Sequence, residues 1–330
     1  MGGGGYAAGW VPMYVPWEQA WHDALYGERG FYRRCAPAAH FATSAQGIPG
    51  GGEVLAEAVL RLARQHRCTR VVDLGCGRGE LLTHLRGLDP RVHLTGVDIV
   101  ERPAGLDVDG WLVSPGGAAL PDALSALRDT LVLAHEWLDV VPCPVVELDD
   151  NGVWRVVTVA PDGSEQHGLW LTDEALKWVG DWAPPGATRV EVGLPRDRAF
   201  ADLLGRVERG VVVAVDYGTM RGSRPLHGTL TGYRDGQQVR PVPDGSCDLT
   251  AHVAIDSLVA DHPDDVEVSV MAQRDRLFSL LGEPAHPVPH ELSRTRPAAY
   301  LAAVARRSAL RALTAYPGLG AFDWVVAVRR

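Results

Sequence analysis

Short apolar runs alternate with amphipathic segments along most of the chain. The apolar runs cover residues 71–74, 131–134 and 211–215, and two further strands are predicted over residues 92–97 and over the alternating residues 322–328. Between them, apolar residues recur at helical spacing in residues 53–66, 80–88, 198–209, 271–281 and 298–313. Strands that alternate with helices favour a parallel sheet covered by helices on both faces. The pattern therefore predicts an α/β fold with a doubly wound sheet.

The first apolar run leads directly into a glycine-rich turn. Gly75, Gly77 and Gly79 occupy alternate positions, Asp73 lies two positions before them, and Asp98 ends the next predicted strand. A strand, a glycine turn and a helix are typical of a site for a nucleotide-like ligand, because glycine lets the ligand approach the backbone. Dinucleotide-binding turns read G-x-G-x-x-G, whereas this turn reads G-x-G-x-G. The candidate cofactor-binding residues are Asp73, Gly75, Cys76, Gly77, Gly79 and Asp98.

Two carboxylates follow the predicted fourth strand, residues 131–134. Glu136 and Asp139 lie where the reacting group of a doubly wound protein is expected, at the carboxyl edge of the sheet. If this segment is helical, the two side chains share one face at i, i+3 spacing. They are the candidate catalytic residues. Position alone leaves open that they are acids stabilising the start of a helix.

The chain divides into a core and two additional segments. Residues 145–195 contain alternating positions around Asn151-Gly152, a hairpin signal, followed by a helix that Thr172 caps. We interpret them as an inserted β-hairpin and helix. Residues 1–50, which contain a predicted helix over residues 17–26, are interpreted as an N-terminal helical lid. The expected core comprises residues 51–144 and 196–330.

Composition excludes several classes of protein. The formal net charge is -9 over 330 residues, so we expect no binding to nucleic acid. The five cysteines are scattered, which disfavours a zinc site or a disulfide framework and suits a reducing cytoplasm. No apolar run reaches the roughly 18 residues of a membrane span. The N-terminal residues do not resemble a secretory leader, so we expect a cytoplasmic protein. Because the cysteines are scattered, we expect no metal site.

Several stretches in order resemble the MidA-like family of S-adenosylmethionine (SAM) methyltransferases. The specific ones are the segment from His135 to Asp139, Val215-Asp216-Tyr217-Gly218, and the segment from Asp248 to Val253. The others are Gly30-Phe31-Tyr32, residues 40–44, the glycine turn, and residues 228–230 with Tyr233. Together they span nearly the whole chain.

The resemblance implies a class I SAM-methyltransferase fold, SAM as the cofactor and Asp98 as the carboxylate that binds the ribose. Mitochondrial members of the family are associated with symmetric dimethylation of an arginine on a subunit of respiratory complex I. The resemblance thus implies methylation of a protein arginine, with a respiratory subunit as one partner. The candidate substrate-binding residues within the matching stretches are Tyr32, Thr43, Ser44, Asp216, Tyr217 and His252.

The chain also departs from the family pattern. His135 stands where the family usually has Asn, and Ala45-Gln46 stands where it has Pro-Glu. These changes fall in segments expected to bind the substrate and not SAM, so the identity of the methyl acceptor stays open. The alternatives are a small-molecule methyltransferase and a non-catalytic SAM-binding assembly factor. A nicotinamide-dependent dehydrogenase is disfavoured because the G-x-G-x-x-G turn is absent. The sequence leaves the oligomeric state open, a homo-oligomer included.

Overall fold

The computed structural model describes residues 13–34, 47–283 and 287–330. Its strands are β1 (Val15–Pro16), β2 (Arg70–Leu74), β3 (His93–Asp98), β4 (Gly110–Val113), β5 (Leu127–His135), β6 (Val145–Leu148), β7 (Trp154–Val159), β8 (Glu165–Trp170), β9 (Arg189–Glu191), β10 (Val207–Asp216), β11 (Gly218–Thr219), β12 (Thr231–Arg234), β13 (Gln237–Val239), β14 (Asp248–Thr250), β15 (Val253–Ala254), β16 (Val266–Ala272) and β17 (Asp323–Arg329). The helices are α1 (Trp17–Tyr26), α2 (Phe31–Arg34), α3 (Gly51–Gln65), α4 (Glu80–Leu88), α5 (Asp173–Trp182), α6 (Leu194–Arg206), α7 (Ile255–Leu258), α8 (Gln273–Leu281), α9 (Glu291–Thr295) and α10 (Pro297–Leu313).

A seven-stranded sheet forms the centre of the protein. Its strand order is β16-β17-β10-β5-β2-β3-β4, and β17 runs antiparallel to both of its neighbours. The other four pairings are parallel and join β10, β5, β2, β3 and β4 in that order. The strand order reverses direction between β2 and β5, which is the place where open α/β sheets bind ligands. The predicted doubly wound α/β fold is confirmed.

Alternate residues of the central strands pack on opposite faces of this sheet. In β10, Val211, Val213 and Val215 contact the layer of α3, α4, α8 and α10, whereas Val212 and Ala214 contact α6 and α7. Both faces are therefore covered. This double burial explains why the central strands are continuous apolar runs and do not alternate with polar residues.

A second, smaller sheet packs beside the main one. It contains β1, β7, β6 and β9 in that order, with β8 paired to β7. One face of this sheet packs on α1 through Val145, Val157 and Val159, and α5 packs against Val146 and Val190. Residues 145–191 thus supply four strands and a helix, and β1 adds a strand from the N-terminal segment. The division into lid, core and insertion stays a prediction.

Two predicted helix boundaries are wrong. Residues 266–272 form strand β16, and the helix predicted over residues 271–281 begins only at Gln273. The helix predicted over residues 198–209 is α6, which runs from Leu194 to Arg206 and gives way to β10. In both cases, pairing with a neighbouring strand of the sheet overrides the local helical pattern.

The buried guanidinium of Arg196 connects α6 to two loops. Arg196 is 1% exposed and donates to the carbonyl oxygens of Asp139 (2.7 Å), Val141 (3.1 Å), Ala251 (3.0 Å) and His252 (2.8 Å). Both loops lie at the carboxyl edge of the main sheet. Backbone carbonyls that would otherwise be buried without a donor are satisfied by one side chain.

None of the helices within the described ranges is long and apolar enough to cross a membrane.

Replacing Arg196 should test this anchoring. Arg196→Ala leaves four carbonyl oxygens without their donor, so we expect the free energy of unfolding to fall by about 3 kcal/mol or more. The matched control is Arg198→Ala on the same helix, whose guanidinium is exposed and pairs with Glu174. It should change the free energy by less than about 1 kcal/mol. Urea denaturation measures both, and equal losses would contradict the anchoring role.

Candidate active site

The glycine turn joins the end of β2 to the start of α4. Gly75, Gly77 and Gly79 all have positive φ, at 72°, 58° and 82°. The N–H groups of Gly75 and Cys76 donate to the carbonyl oxygen of Val97, at 2.8 and 3.3 Å, so the turn folds onto the end of β3. A side chain at Gly79 would have its Cβ 2.6 Å from Leu106. Three of five consecutive residues adopt the left-handed backbone conformation, which glycine adopts without steric cost, and this explains why all three are glycines.

Asp98 faces the glycine turn from the end of β3. Its carboxylate accepts from the backbone N–H of Gly77 at 2.7 Å and from that of Val100 at 3.2 Å. Burial raises the pKa of Asp98 to about 6, although these two hydrogen bonds act to lower it. Asp73 is still more buried, and desolvation followed by the charge of Asp98 raises its pKa to about 8. At pH 7 Asp98 is therefore mostly ionised and Asp73 mostly protonated.

The chain leaves β5 through a strained residue. Glu136 has a φ of 53°, although its N–H still donates to the carbonyl oxygen of Val215 at 2.8 Å. Its Oε1 lies 3.4 Å from Nδ1 of His135. Burial lowers the pKa of His135 to about 4, so this contact joins a neutral imidazole to the carboxylate. Residues 136–140 form bends followed by a turn and no helix, so the conditional helical pairing of Glu136 with Asp139 is wrong.

Asp139 lies at the centre of a buried hydrogen-bond network. Its Oδ2 accepts from the hydroxyl of Thr250 at 2.8 Å, and its backbone N–H donates to Asp216 Oδ1 at 3.2 Å. The hydroxyls of Thr250 and Tyr217 are also hydrogen-bonded. Because Thr250 uses its one proton on Asp139, Tyr217 is the donor in that pair. These bonds fix Asp139 from the ends of β10 and β14.

The N-terminal segment closes one side of the same region. The hydroxyl of Tyr32 donates to Asp248 Oδ1 at 2.7 Å, and that of Tyr26 donates to the carbonyl oxygen of Val140 at 3.0 Å. Burial raises the pKa of Asp248 to about 8, with the charge of Asp139 as a further cause. Helices α1 and α2 are therefore attached to the loop that carries Asp139 and to the start of β14, where Asp248 lies.

These elements enclose a cavity of about 380 Å³ at the carboxyl ends of β2, β3 and β5. Its volume falls within the range of small-molecule sites. Of the predicted residues, those that line it are Tyr32, Asp73, Gly75, Cys76, Gly77, Asp98, Glu136 and Asp139. The glycine backbone, which leaves room that a Cβ would fill, and the ionised Asp98 suit the polar groups of an adenosine ligand.

The remaining predicted residues lie elsewhere. Asp216 and Tyr217 are behind Asp139 and reach the cavity through it and Thr250. His252 lines a separate small pocket next to Thr229. Gly79 is buried against Leu106 at the start of α4. Thr43 and Ser44 fall outside the described residues.

Sequence reasoning did not single out several residues of the cavity wall. Tyr26, Ser114, Gly116, His135 and Asp248 line the cavity but were not candidates for binding. The sequence signal was present for Asp248, which begins a stretch that resembles the family motif. Residues 114–117 follow a short edge strand in a region rich in proline and glycine, and nothing in their local pattern indicates a site. Within the ranges described, no group of three or more His, Cys, Asp or Glu side chains could hold a metal ion.

A family of known proteins matches part of the chain. Residues 115–265 match the family described as "Putative S-adenosyl-L-methionine-dependent methyltransferase". The matched segment begins after the glycine turn and contains Glu136, Asp139, Asp216 and Asp248. The match confirms the predicted class of enzyme, a SAM-dependent methyltransferase, and SAM as its cofactor. No curated protein sequence matches the chain.

Solved structures confirm the fold. A protein from Burkholderia thailandensis bound to S-adenosylhomocysteine has a TM-score of 0.73 and 20% identity, over 96% of this chain and 88% of that one. A native structure of an uncharacterised protein of the same superfamily and organism has a TM-score of 0.70 and 20% identity, over 96% of this chain and 87% of that one. The two structures share the SAM-methyltransferase architecture with this chain.

Gly75→Ala tests the glycine turn as a cofactor site. Its added Cβ would lie 3.8 Å from the nearest protein atom, on Trp137, so it fills cavity and also strains a φ of 72°. We expect the Kd for SAM, measured by calorimetry, to rise at least about tenfold. Gly87→Ala in α4, where no atom lies within 4 Å of the new Cβ, is the control and should leave the Kd unchanged. Wild-type affinity in Gly75→Ala would contradict the site.

Asp98 gives a pH-dependent prediction. A carboxylate can accept both ribose hydroxyls, and its protonation below a pKa of about 6 removes that capacity. We therefore expect the affinity for SAM to fall about tenfold from pH 7 to pH 5. Asp98→Asn should bind weakly with little pH dependence over this range, whereas Asp122→Asn, at an exposed position, should follow the wild type. A pH-independent wild-type Kd would count against Asp98 as the ribose ligand.

Proposed function

We propose that this protein transfers a methyl group from SAM to an arginine side chain of a protein substrate. The observation that carries the proposal is the placement of Glu136 and Asp139 in one cavity with the glycine turn and Asp98. The cofactor side and a carboxylate side are thereby brought together at the edge of the sheet. The resemblance to the MidA-like family, which includes arginine methyltransferases, supports the same acceptor.

The charge of the cavity favours a cationic acceptor. Seven carboxyl side chains and three arginines line it within the described ranges. Two of the arginines are held by backbone carbonyls: Arg33 donates to Tyr26 at 3.0 Å, and Arg34 donates to Gly245 at 2.6 Å. Asp73 and Asp248 are mostly neutral at pH 7, so the acidic character at the acceptor side comes mainly from Glu136 and Asp139.

Carboxylates suit a guanidinium acceptor for a geometric reason. A guanidinium stays protonated at neutral pH and donates in a fixed fork, which a pair of carboxylate oxygens can bind. Bound SAM supplies the methyl group on a sulfonium. Glu136 and Asp139 orient the guanidinium and draw its positive charge away from the attacking nitrogen. When that nitrogen gains a methyl group it releases a proton, and Asp139 accepts it.

The strain at Glu136 supports a functional role. A non-glycine residue with a φ of 53° costs about 1–2 kcal/mol, and such residues cluster at active sites. Burial lowers the pKa of the adjoining His135 to about 4, so this imidazole is neutral and adds no positive charge beside Glu136. The two neighbouring residues thus favour a positively charged acceptor more than a neutral one.

Labelled SAM and cell extract test the acceptor. Label that appears on one protein band and co-migrates with methylated arginine after hydrolysis is the expected result. Label in a soluble metabolite would instead indicate a small-molecule methyltransferase. SAM binding without any labelled product would indicate a non-catalytic SAM-binding factor.

Variants of the two carboxylates test their role. Glu136→Gln and Asp139→Asn should each lower the methylation rate by about 10²-fold, because each removes a charge that orients the acceptor. The Kd for SAM should change by less than about threefold. Glu101→Gln, which alters another carboxyl side chain lining the cavity, is the control and should retain near wild-type turnover. Wild-type rates in both variants would refute the role.

A further inference from the structure

Asp139 and Asp216 form a buried pair that the proposed reaction explains only in part. They are 4% and 2% exposed, and Asp216 Oδ1 accepts the backbone N–H of Asp139 at 3.2 Å. Asp139 Oδ2 is bound by Thr250. The two other carboxyl oxygens, Asp139 Oδ1 and Asp216 Oδ2, are buried and have no hydrogen-bond partner among the described residues. Two ionised carboxylates in this arrangement would repel each other and leave two acceptors unsatisfied.

Within the described part of the chain, no cationic side chain forms an ion pair or a hydrogen bond with either carboxylate. The guanidinium of Arg196 reaches this region, but it donates to four backbone carbonyl oxygens and to neither carboxylate. Asp323 lies opposite Asp216 in the register of β10 and β17. The other ionisable side chains that interact with one member of the pair are Glu136, Tyr217, Asp248, His252, Tyr26 and Tyr32.

We propose that Asp216 is a positioning residue that shares one proton with Asp139. A hydrogen bond from the protonated carboxyl of Asp216 then satisfies Asp139 Oδ1, and the pair carries a single negative charge. Asp139 is thereby held by Thr250 on one oxygen and by Asp216 on the other. The contacts fit this arrangement, because Asp216 lies behind Asp139 and outside the cavity lining.

The electrostatics of the pair agree with the geometry. Burial raises the pKa of Asp216 well above its ordinary value, and the negative charge of Asp139 raises it further. The consequence for catalysis rests on the proposed function: a pair with one negative charge can still accept the proton that the methylated nitrogen releases. Asp216 would thus act through Asp139 and would not contact the substrate.

The pH dependence of stability tests the shared proton. A carboxyl with a raised folded-state pKa binds a proton on folding at pH values above about 4, so its contribution to stability falls as the pH rises. Asp216→Asn cannot ionise, and its amide can still donate to Asp139. We expect the Tm of Asp216→Asn minus that of the wild type to increase by about 2 °C per pH unit between pH 5 and pH 8. Asp261→Asn, at an exposed position, should show no such trend.

A Tm difference that is constant with pH would overturn the proposal. Should Asp216→Asn fold poorly, Asp139→Asn offers the same comparison, because it also leaves a single acid in the pair. The positioning role has a separate readout: Asp216→Asn should retain methylation within about threefold, whereas Asp216→Leu should lose about tenfold or more with little change in the Kd for SAM. Absence of any methylation by the wild type would refute the proposed function but would leave the stability test intact.

Discussion

The carboxylate side of the cavity depends on one buried cation. Arg196 extends from α6 and donates to carbonyl oxygens of two separate loops, one that contains Asp139 and one that contains His252. Neither loop has regular structure of its own around these carbonyls. Their relative position therefore follows from the guanidinium, whose donors lie in a fixed plane. Asp139 is placed by its backbone before any contact of its side chain is considered.

Burial of the acids around the cavity is costly, and the structure offsets part of the cost with hydrogen bonds. The carboxyl group of Asp139 accepts a hydrogen bond from the hydroxyl of Thr250, and that of Asp248 accepts one from the hydroxyl of Tyr32. The carboxylate of Asp98 accepts from two backbone N–H groups. Where the donors do not outweigh burial, the pKa of the carboxyl rises and the group becomes neutral, as it does for Asp73 and Asp248. The result is a cavity in which a few carboxylates keep their charge and the others serve as neutral hydrogen-bonding groups.

Sequence patterns predicted correctly those elements that depend on residues close together in the chain. The bounds predicted for the helix after the glycine turn, residues 80–88, coincide with α4. Strand β16 was missed because its residues do not form a continuous apolar run. Its place in the sheet is set by pairing with β17, which lies far away in the sequence. The positive φ of Glu136 was missed because no local sequence pattern marks a non-glycine residue that adopts one.

The sequence by itself determined the α/β order of elements, the glycine turn and the acids at two strand ends, because each depends on residues close together in the chain. Tertiary structure alone decided that Tyr32 donates to Asp248, that Asp216 lies behind Asp139, and that Arg196 joins both loops. These partners are separated by 216, 77 and about 55 residues. Only the packing of the sheet and the helices brings them together, and no local periodicity encodes such contacts.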